Sequence, residues 1–193
     1  MKKRYILLVL GLICLTACSV KKTTSTNKDS AKKLDNSISG KPLWNKTEEE
    51  LDQLVTKKIA FPEREGVVQT QVITYQGKEW LTLTMEQIQS ANDEIKSAIT
   101  EVGIEETQKA LEESINSDEK YQQAKNLPGF SYQVEITPDQ KLKITTTYDL
   151  KLFNLDEMDK LEYFRGFNLR NILELTPSQY IENRLQHGAR IEE

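Results

Sequence analysis

Few of the side chains that perform catalysis or bind metal ions occur in this sequence. Among 193 residues there is a single histidine, His187, and there are two cysteines, Cys14 and Cys18. A hydrolytic triad requires a base, usually histidine, so the composition disfavours one. Histidine clusters that bind zinc or copper and glycine-rich loops that bind phosphates are also missing. We therefore expect no cofactor and no enzymatic activity.

Acidic residues are plentiful, and they leave one enzymatic alternative open. A pair of carboxylates can hydrolyse a glycosidic bond, so an envelope hydrolase is an alternative function. Many of these acids occur as adjacent pairs in helical sequence that also contains lysine: Glu105/Glu106, Glu112/Glu113 and Asp118/Glu119. Adjacent residues on a helix point in different directions, so this spacing favours a solvated surface over a catalytic pair.

The sequence has no hydrophobic run of the roughly 20 residues that span a bilayer. An apolar stretch at residues 5–15 follows the basic residues Lys2, Lys3 and Arg4. A basic head before an apolar stretch of this length is typical of a secretory signal peptide. We therefore expect residues 1–17 to be a signal peptide, with a retained transmembrane anchor as the alternative.

The end of this apolar stretch resembles the lipobox of bacterial prolipoproteins. Leu15, Thr16 and Ala17 supply an aliphatic and two small residues directly before Cys18. The resemblance implies cleavage between Ala17 and Cys18 and a diacylglyceryl group, with acyl chains such as palmitate, on the cysteine. Two buried acyl chains are enough for stable attachment to a membrane. An ordinary signal peptide with a chance cysteine is the alternative.

Residues 18–43 are predicted to form a lipid-anchored flexible tether, because they are rich in serine, threonine and lysine and poor in apolar residues. Its lysines either attract anionic lipid or only keep the tether soluble. From Pro42 to Glu193 there are 17 basic and 28 acidic residues, a formal charge of −11. Such an acidic domain disfavours nucleic-acid binding. The expected partners are the membrane, through the lipid, and an envelope protein or small ligand.

Residues 44–193 are predicted to be a single α+β domain that begins with a helix. Thr47 and Glu50 have the spacing of a capping box, and lysines lie at the other end of the segment. This pattern predicts a helix over residues 47–58, which Pro62 ends.

The rest of the domain repeats a ββα pattern. Alternating residues and turn signals predict two hairpins, each followed by helices: strands at 67–75 and 80–85, helices within 92–126 with a break at Gly103, strands at 132–136 and 141–148, and helices at 156–164 and after Thr176. Hairpins favour antiparallel pairing. The pattern therefore predicts a four-stranded antiparallel sheet with packed helices, plus the extra N-terminal helix.

The final helix has clear signals at both ends. Thr176, Pro177 and Gln179 occupy the positions of a capping box with proline in the first turn, and Gly188 ends the helix. His187 lies at the C-terminal end, where the helix dipole favours its charged form. A capping role therefore fits His187 better than catalysis.

Trp80 is a candidate surface aromatic. Simple alternation places it on the opposite side of its strand from Leu81 and Leu83. Either the predicted N-terminal helix covers that side, which we favour, or Trp80 marks an exposed binding surface.

Several of these segments together resemble the YehR-like family of bacterial lipoproteins: the lipobox and tether, residues 74–78, the acidic helix, the second hairpin and the closing helix from Leu175. The resemblance covers roughly residues 67–188. It implies a membrane-anchored α+β domain, and it carries over no functional residues. The lysine-rich composition is typical of a low-GC Gram-positive source.

We therefore predict a non-enzymatic lipoprotein on the outer face of the cell membrane. Its acidic domain is expected to bind an envelope partner or a ligand. The alternatives are an envelope hydrolase with a carboxylate pair and a small ligand-binding accessory of a transporter.

Overall fold

The computed structural model describes residues 53–192, which are built around a six-stranded antiparallel sheet. The strands are β1 (Leu54–Ala60), β2 (Val68–Gln76), β3 (Glu79–Ser90), β4 (Phe130–Ile136), β5 (Lys141–Asp149) and β6 (Arg190–Glu192). Their order across the sheet is β4-β5-β3-β2-β1-β6. The α+β class is confirmed, and the predicted four-stranded sheet is wrong.

The helices follow the two hairpins, as expected. They are α1 (Asp93–Ser117), α2 (Glu119–Ala124), α3 (Leu155–Met158), a 3-10 turn (Glu162–Phe164), α4 (Leu169–Leu173) and α5 (Pro177–Gln186). Gly103 interrupts α1 with φ 85° and ψ 169°, a conformation that only glycine adopts readily. No helix within residues 53–192 is long and apolar enough to cross a membrane.

Residues 54–58, predicted as the end of an N-terminal helix, instead form most of strand β1. β1 pairs with β2 over its whole length, from Leu54 opposite Gln76 to Ala60 opposite Thr70. Ile59 is fully buried in the hydrophobic core. Long-range pairing and burial thus override the local helix signal. Of the remaining residues of that predicted helix, Gln53 lies in a bend, and residues 47–52 lie outside the described part of the chain.

The predicted start of the final helix is confirmed. Thr176 and Gln179 form the predicted capping box at the start of α5. Asn154 caps α3 by accepting hydrogen bonds from the backbone of Asp156 and Glu157. The single helix predicted at 156–164 is divided between α3 and the 3-10 turn. Strand β6, which follows Gly188, was not predicted.

A β-bulge in the first hairpin changes the side toward which Trp80 points. Ile73 lies opposite Leu83, but Tyr75 lies opposite Trp80, so the register shifts and Leu81 has no partner on β2. Directly opposed residues share a face of the sheet. Trp80 therefore lies on the same face as Tyr75 and Leu83, and the simple alternation that placed it on the other face is wrong.

Trp80 is buried under the C-terminal helical segment. Its side chain is 9% exposed, and Nε1 donates a hydrogen bond to the Leu175 carbonyl oxygen at 2.8 Å. Its ring meets that of Tyr180 in α5 edge-on, with centroids 5.4 Å apart. Trp80 is a core residue, so the hypothesis of a surface aromatic is wrong, and the covering helix is α5.

All the strand residues of the two hydrophobic clusters lie on one face of the sheet, which we call the helix face. The larger cluster contains Ile73, Leu83 and Tyr148 from the strands, with Tyr180 and Ile181 from α5. In the second cluster, α1 packs on the end of β4 and the start of β5, at Ile136 and Leu142. The described helices therefore cover one side of the sheet.

Side chains of two helices occupy the outer edge of β4. The Gln108 amide donates to the Val134 carbonyl at 2.8 Å and accepts from the Ile136 N–H at 2.8 Å. The Tyr121 hydroxyl lies 3.5 Å from the Tyr132 carbonyl. Gln108 thus bonds the edge as another strand would, and this arrangement blocks strand addition at β4.

Replacing Gln108 with alanine is expected to lower the free energy of unfolding by about 1–3 kcal/mol, because two backbone groups of β4 lose their partners. Urea denaturation followed by circular dichroism measures this. Glu113 is exposed on the same helix, and its replacement by alanine should change stability by less than about 0.5 kcal/mol. Equal effects of the two substitutions would contradict this assignment.

Candidate interaction surface

The face of the sheet opposite the helices carries most of the strand threonines, beside the apolar residues Val68, Val72 and Ile88, and we call it the polar face. Threonine is β-branched and suits a strand, and strand alternation turns these residues away from the apolar core. Its threonines come from four strands: Thr56, Thr70, Thr74, Thr82, Thr84, Thr145 and Thr147.

Hydroxyl groups pair across neighbouring strands on this face. The Oγ1 atoms of Thr56 and Thr74 are 3.1 Å apart, and those of Thr84 and Thr147 are 3.0 Å apart. Each pair contributes roughly 0.2–1 kcal/mol to strand association. A hydroxyl has one donor and two acceptor positions. These paired groups therefore retain hydrogen-bonding capacity toward a ligand.

Two ion pairs lie on the same face. Lys143 contacts Glu86 at 2.9 Å, and Lys58 contacts Glu192 at 2.9 Å. Hydrogen bonding to Glu86 raises the pKa of Lys143, and hydrogen bonding to Lys58 lowers the pKa of Glu192. Because both pairs are exposed to solvent, which screens the attraction, they add little to stability. The pairs balance charge locally, although the domain as a whole is acidic.

The acidic residues predicted to form a solvated helix surface do so. Glu105, Glu106, Glu112 and Glu113 are exposed on α1, and a shallow depression there is lined by residues of this helix alone. Within residues 53–192, no group of three or more histidine, cysteine or acidic side chains is placed to hold a metal ion.

His187 is the C-cap residue of α5. Its Nδ1 atom lies 2.7 Å from the Asn183 carbonyl oxygen, one turn earlier. The predicted capping role is therefore confirmed by the geometry.

Three tyrosines pack together on the helix face, beside the edge of β4. The ring of Tyr121 lies 5.8 Å from that of Tyr132 and 5.9 Å from that of Tyr163. Burial raises the pKa of Tyr132 to about 12 and also raises the pKa of Tyr121 and Tyr163. These phenols are therefore held in their neutral form by the fold.

Stability is expected to fall as the pH rises above about 10, where tyrosine ionises in an unfolded chain. Between that pH and the raised folded pKa of Tyr132, about 12, the unfolded chain binds fewer protons, so deprotonation favours unfolding. Tyrosinate absorbance and circular dichroism followed together through an alkaline titration test this. Tyr132→Phe should flatten the decline. If all three tyrosines ionise while the chain is still folded, this expected loss of stability is wrong.

The predicted lipidation and cleavage residues, Cys18 and Ala17, lie outside the described residues. Trp80 is described, but it belongs to the core and not to the polar face. The polar face was not predicted as a site. Its signal in the sequence is the recurrence of threonine at alternate positions, as in Thr82/Thr84 and Thr145/Thr147.

The family model for YehR-like proteins matches residues 54–184. An NMR structure of a protein from Streptococcus pneumoniae TIGR4 is 32% identical, with TM-score 0.67, and the match covers 89% of this chain and 100% of that one. The NMR structure of the Escherichia coli YehR protein is 18% identical, with TM-score 0.46, covering 72% and 91%. No curated protein is significantly similar to the chain. The chain belongs to the YehR-like family.

Proposed function

We propose that this protein is a bacterial cell-surface lipoprotein whose acidic α+β domain binds an envelope partner through the polar face. Acyl chains on Cys18 hold it on the outer side of the membrane, and residues 18–43 act as the tether. The observation that supports the binding role is that, within residues 53–192, the helices pack on only one face of the sheet. Both hydrophobic clusters draw their strand residues from the helix face alone.

The chemistry of the polar face suits a partner that associates reversibly. Interfaces of this kind are about as polar as ordinary protein surface and use many hydrogen bonds. The threonine hydroxyls and the ion pair between Glu86 and Lys143 supply donors and acceptors on regular strands. Because the sheet backbone holds these groups in place, little conformational entropy is lost on binding.

The tether gives the domain reach beyond the membrane surface. A flexible coil of residues 19–41 would span about 26 Å on average. Its lysines, such as Lys21 and Lys22, lie next to the proposed lipid, where they attract anionic headgroups. The acidic domain is repelled by the same headgroups, so it stands away from the membrane and faces its partner.

In-cell crosslinking of the full-length lipoprotein, followed by mass spectrometry, tests this proposal. We expect one reproducible envelope protein, and its capture should be lost when Cys18 is replaced by alanine. Capture that is unchanged in the Cys18→Ala variant would refute the need for the anchor. If no partner is captured from the unaltered protein, the proposed role as an interaction module fails.

A further inference from the structure

Arg184 in α5 is a half-buried cation whose donors have no acceptor. Its guanidinium carbon lies 4.6 Å from the centre of the Tyr180 ring, and its Nε atom is buried without a hydrogen-bond partner. Its Nη1 and Nη2 atoms reach solvent, and no group within residues 53–192 bonds them. Buried donors in folded proteins are nearly always bonded, so an unpartnered one requires an explanation.

α5 places the Arg184 side chain over the start of β2. One turn earlier, the Tyr180 hydroxyl donates to Gln71 Oε1 at 2.7 Å. After the helix, Gly188 lies beside Pro62, and the residue before Pro62 bonds the backbone of β2 two positions before Gln71. Arg184 lies on the helix between these two contacts, with its guanidinium on the side of Tyr180.

Next to Arg184, part of the helix face belongs to neither hydrophobic cluster. Gln69 lies opposite Gln87 on β3, and Gln87 lies opposite Ile144 on β5. Each is two or four positions from a core residue of its own strand, so all three lie on the helix face. All three are half-buried, and Ile144 packs in neither cluster although β5 is an inner strand. This strip of amide side chains thus surrounds one accessible aliphatic group.

The amides of the strip also have unused hydrogen-bonding groups. Gln71 is 4% exposed, and its amide nitrogen bonds no acceptor in the described part of the chain. The Gln69 side chain makes no hydrogen bond to any residue from 53 to 192. Gln87 donates to Gln89 at 3.0 Å, which leaves its own carbonyl oxygen as an acceptor. The open groups beside the Arg184 fork are therefore mainly donors.

We propose that Arg184, Gln69, Gln71 and Gln87 form a binding site for a small ligand with one carboxylate. The two outer nitrogens of a guanidinium donate parallel hydrogen bonds to the two oxygens of a carboxylate. The glutamine amides bond neighbouring polar groups of the ligand, and Ile144 contacts its apolar part. The site lies on the helix face, so this inference does not depend on the proposed role of the polar face.

The charge of the domain favours a ligand with a single negative charge. Residues 42–193 carry a formal charge of −11, which repels a multiply charged partner. The contact with Arg184 acts at hydrogen-bond distance, whereas exposed charges more than about 8 Å away are largely screened at physiological salt. One carboxylate therefore gains the local pair and meets little repulsion from the rest of the domain.

Two small probes test the inference on the mature lipoprotein in detergent micelles: N-acetyl-glycylglycine, which has a free carboxylate, and the same dipeptide with a C-terminal amide. We expect the carboxylate probe to shift the NMR signals of the Arg184 Nε–H and of the side-chain amides of Gln69 and Gln71. The amide probe should bind about tenfold more weakly or less, because it lacks the charged acceptor.

Substitutions at Arg184 separate binding from folding. Arg184→Lys keeps a cation beside Tyr180 but lacks the planar fork, so it should weaken binding of the carboxylate probe by about three- to tenfold in a chain that is still folded. Arg184→Gln should remove the preference for the carboxylate. Arg165→Gln, at an exposed arginine after the 3-10 turn, serves as the control and should leave the preference unchanged.

Three results would overturn the site. One is equal binding of the two dipeptides to the unaltered chain. Another is a set of shifts confined to residues outside α5 and the glutamine strip. The third is tighter binding of inorganic phosphate than of the carboxylate probe, which would show that the ligand class is wrong.

Discussion

Replacing Gly129 with alanine is expected to lower the free energy of unfolding by about 3–5 kcal/mol. Gly129 has φ +80°, and a Cβ atom there would lie 2.5 Å from the Asp149 carbonyl oxygen. That oxygen belongs to the backbone and cannot rotate away. The Gly129 carbonyl also accepts a hydrogen bond from the Asp149 N–H at 2.7 Å. Relief of the clash would therefore separate the start of β4 from the end of β5.

Gly66 offers a matched control for this substitution. It has φ +77°, but no atom lies within 4 Å of a Cβ built on it. Gly66→Ala should therefore cost only the backbone strain, about 1–2 kcal/mol. Urea denaturation of the chain without its signal peptide measures both variants. Similar losses at the two positions would show that the clash at Asp149 does not exist.

Replacing Cys18 with alanine is expected to abolish incorporation of a labelled fatty acid into the protein in cells. The diacylglyceryl group that carries the acyl chains is proposed to be attached to the Cys18 sulfur, which alanine lacks. Metabolic labelling with palmitate, followed by gel electrophoresis, measures the incorporation. The mature, lipid-modified chain should disappear from the membrane fraction together with the label.

Cys14 provides the control for this experiment, since it lies four residues earlier, within the proposed signal peptide. Cys14→Ala should keep the label, because that cysteine leaves with the signal peptide. Label that persists in the Cys18→Ala protein, or that is lost only with Cys14, would contradict the assignment of the lipobox.

Local signals predicted much of the fold because they act within a few residues. The break at Gly103 and the capping box at Thr176 depend on backbone conformation and adjacent hydrogen bonds, and both are present. The hairpins were predicted for the same reason. β1 was misassigned because its strand state depends on pairing with β2, and its local sequence also contains good helix signals.

Long-range geometry explains the remaining differences. The bulge at Leu81 moves Trp80 to the helix face, and no short pattern in the sequence marks it. The polar face depends on the register of several strands, which brings Thr84 next to Thr147 although they are 63 positions apart. Alternating threonines predict a strand, but register alone shows that they share one surface.

Site-specific photocrosslinking of the lipoprotein in living cells tests most directly whether the partner binds the polar face. A photoreactive residue is placed at Thr82 on the polar face or at Glu113 on the exposed side of α1, and crosslinked products are identified by mass spectrometry. If the partner binds the polar face, Thr82 crosslinks to one envelope protein and Glu113 does not. Crosslinks from Glu113 with none from Thr82 would show that the partner binds elsewhere.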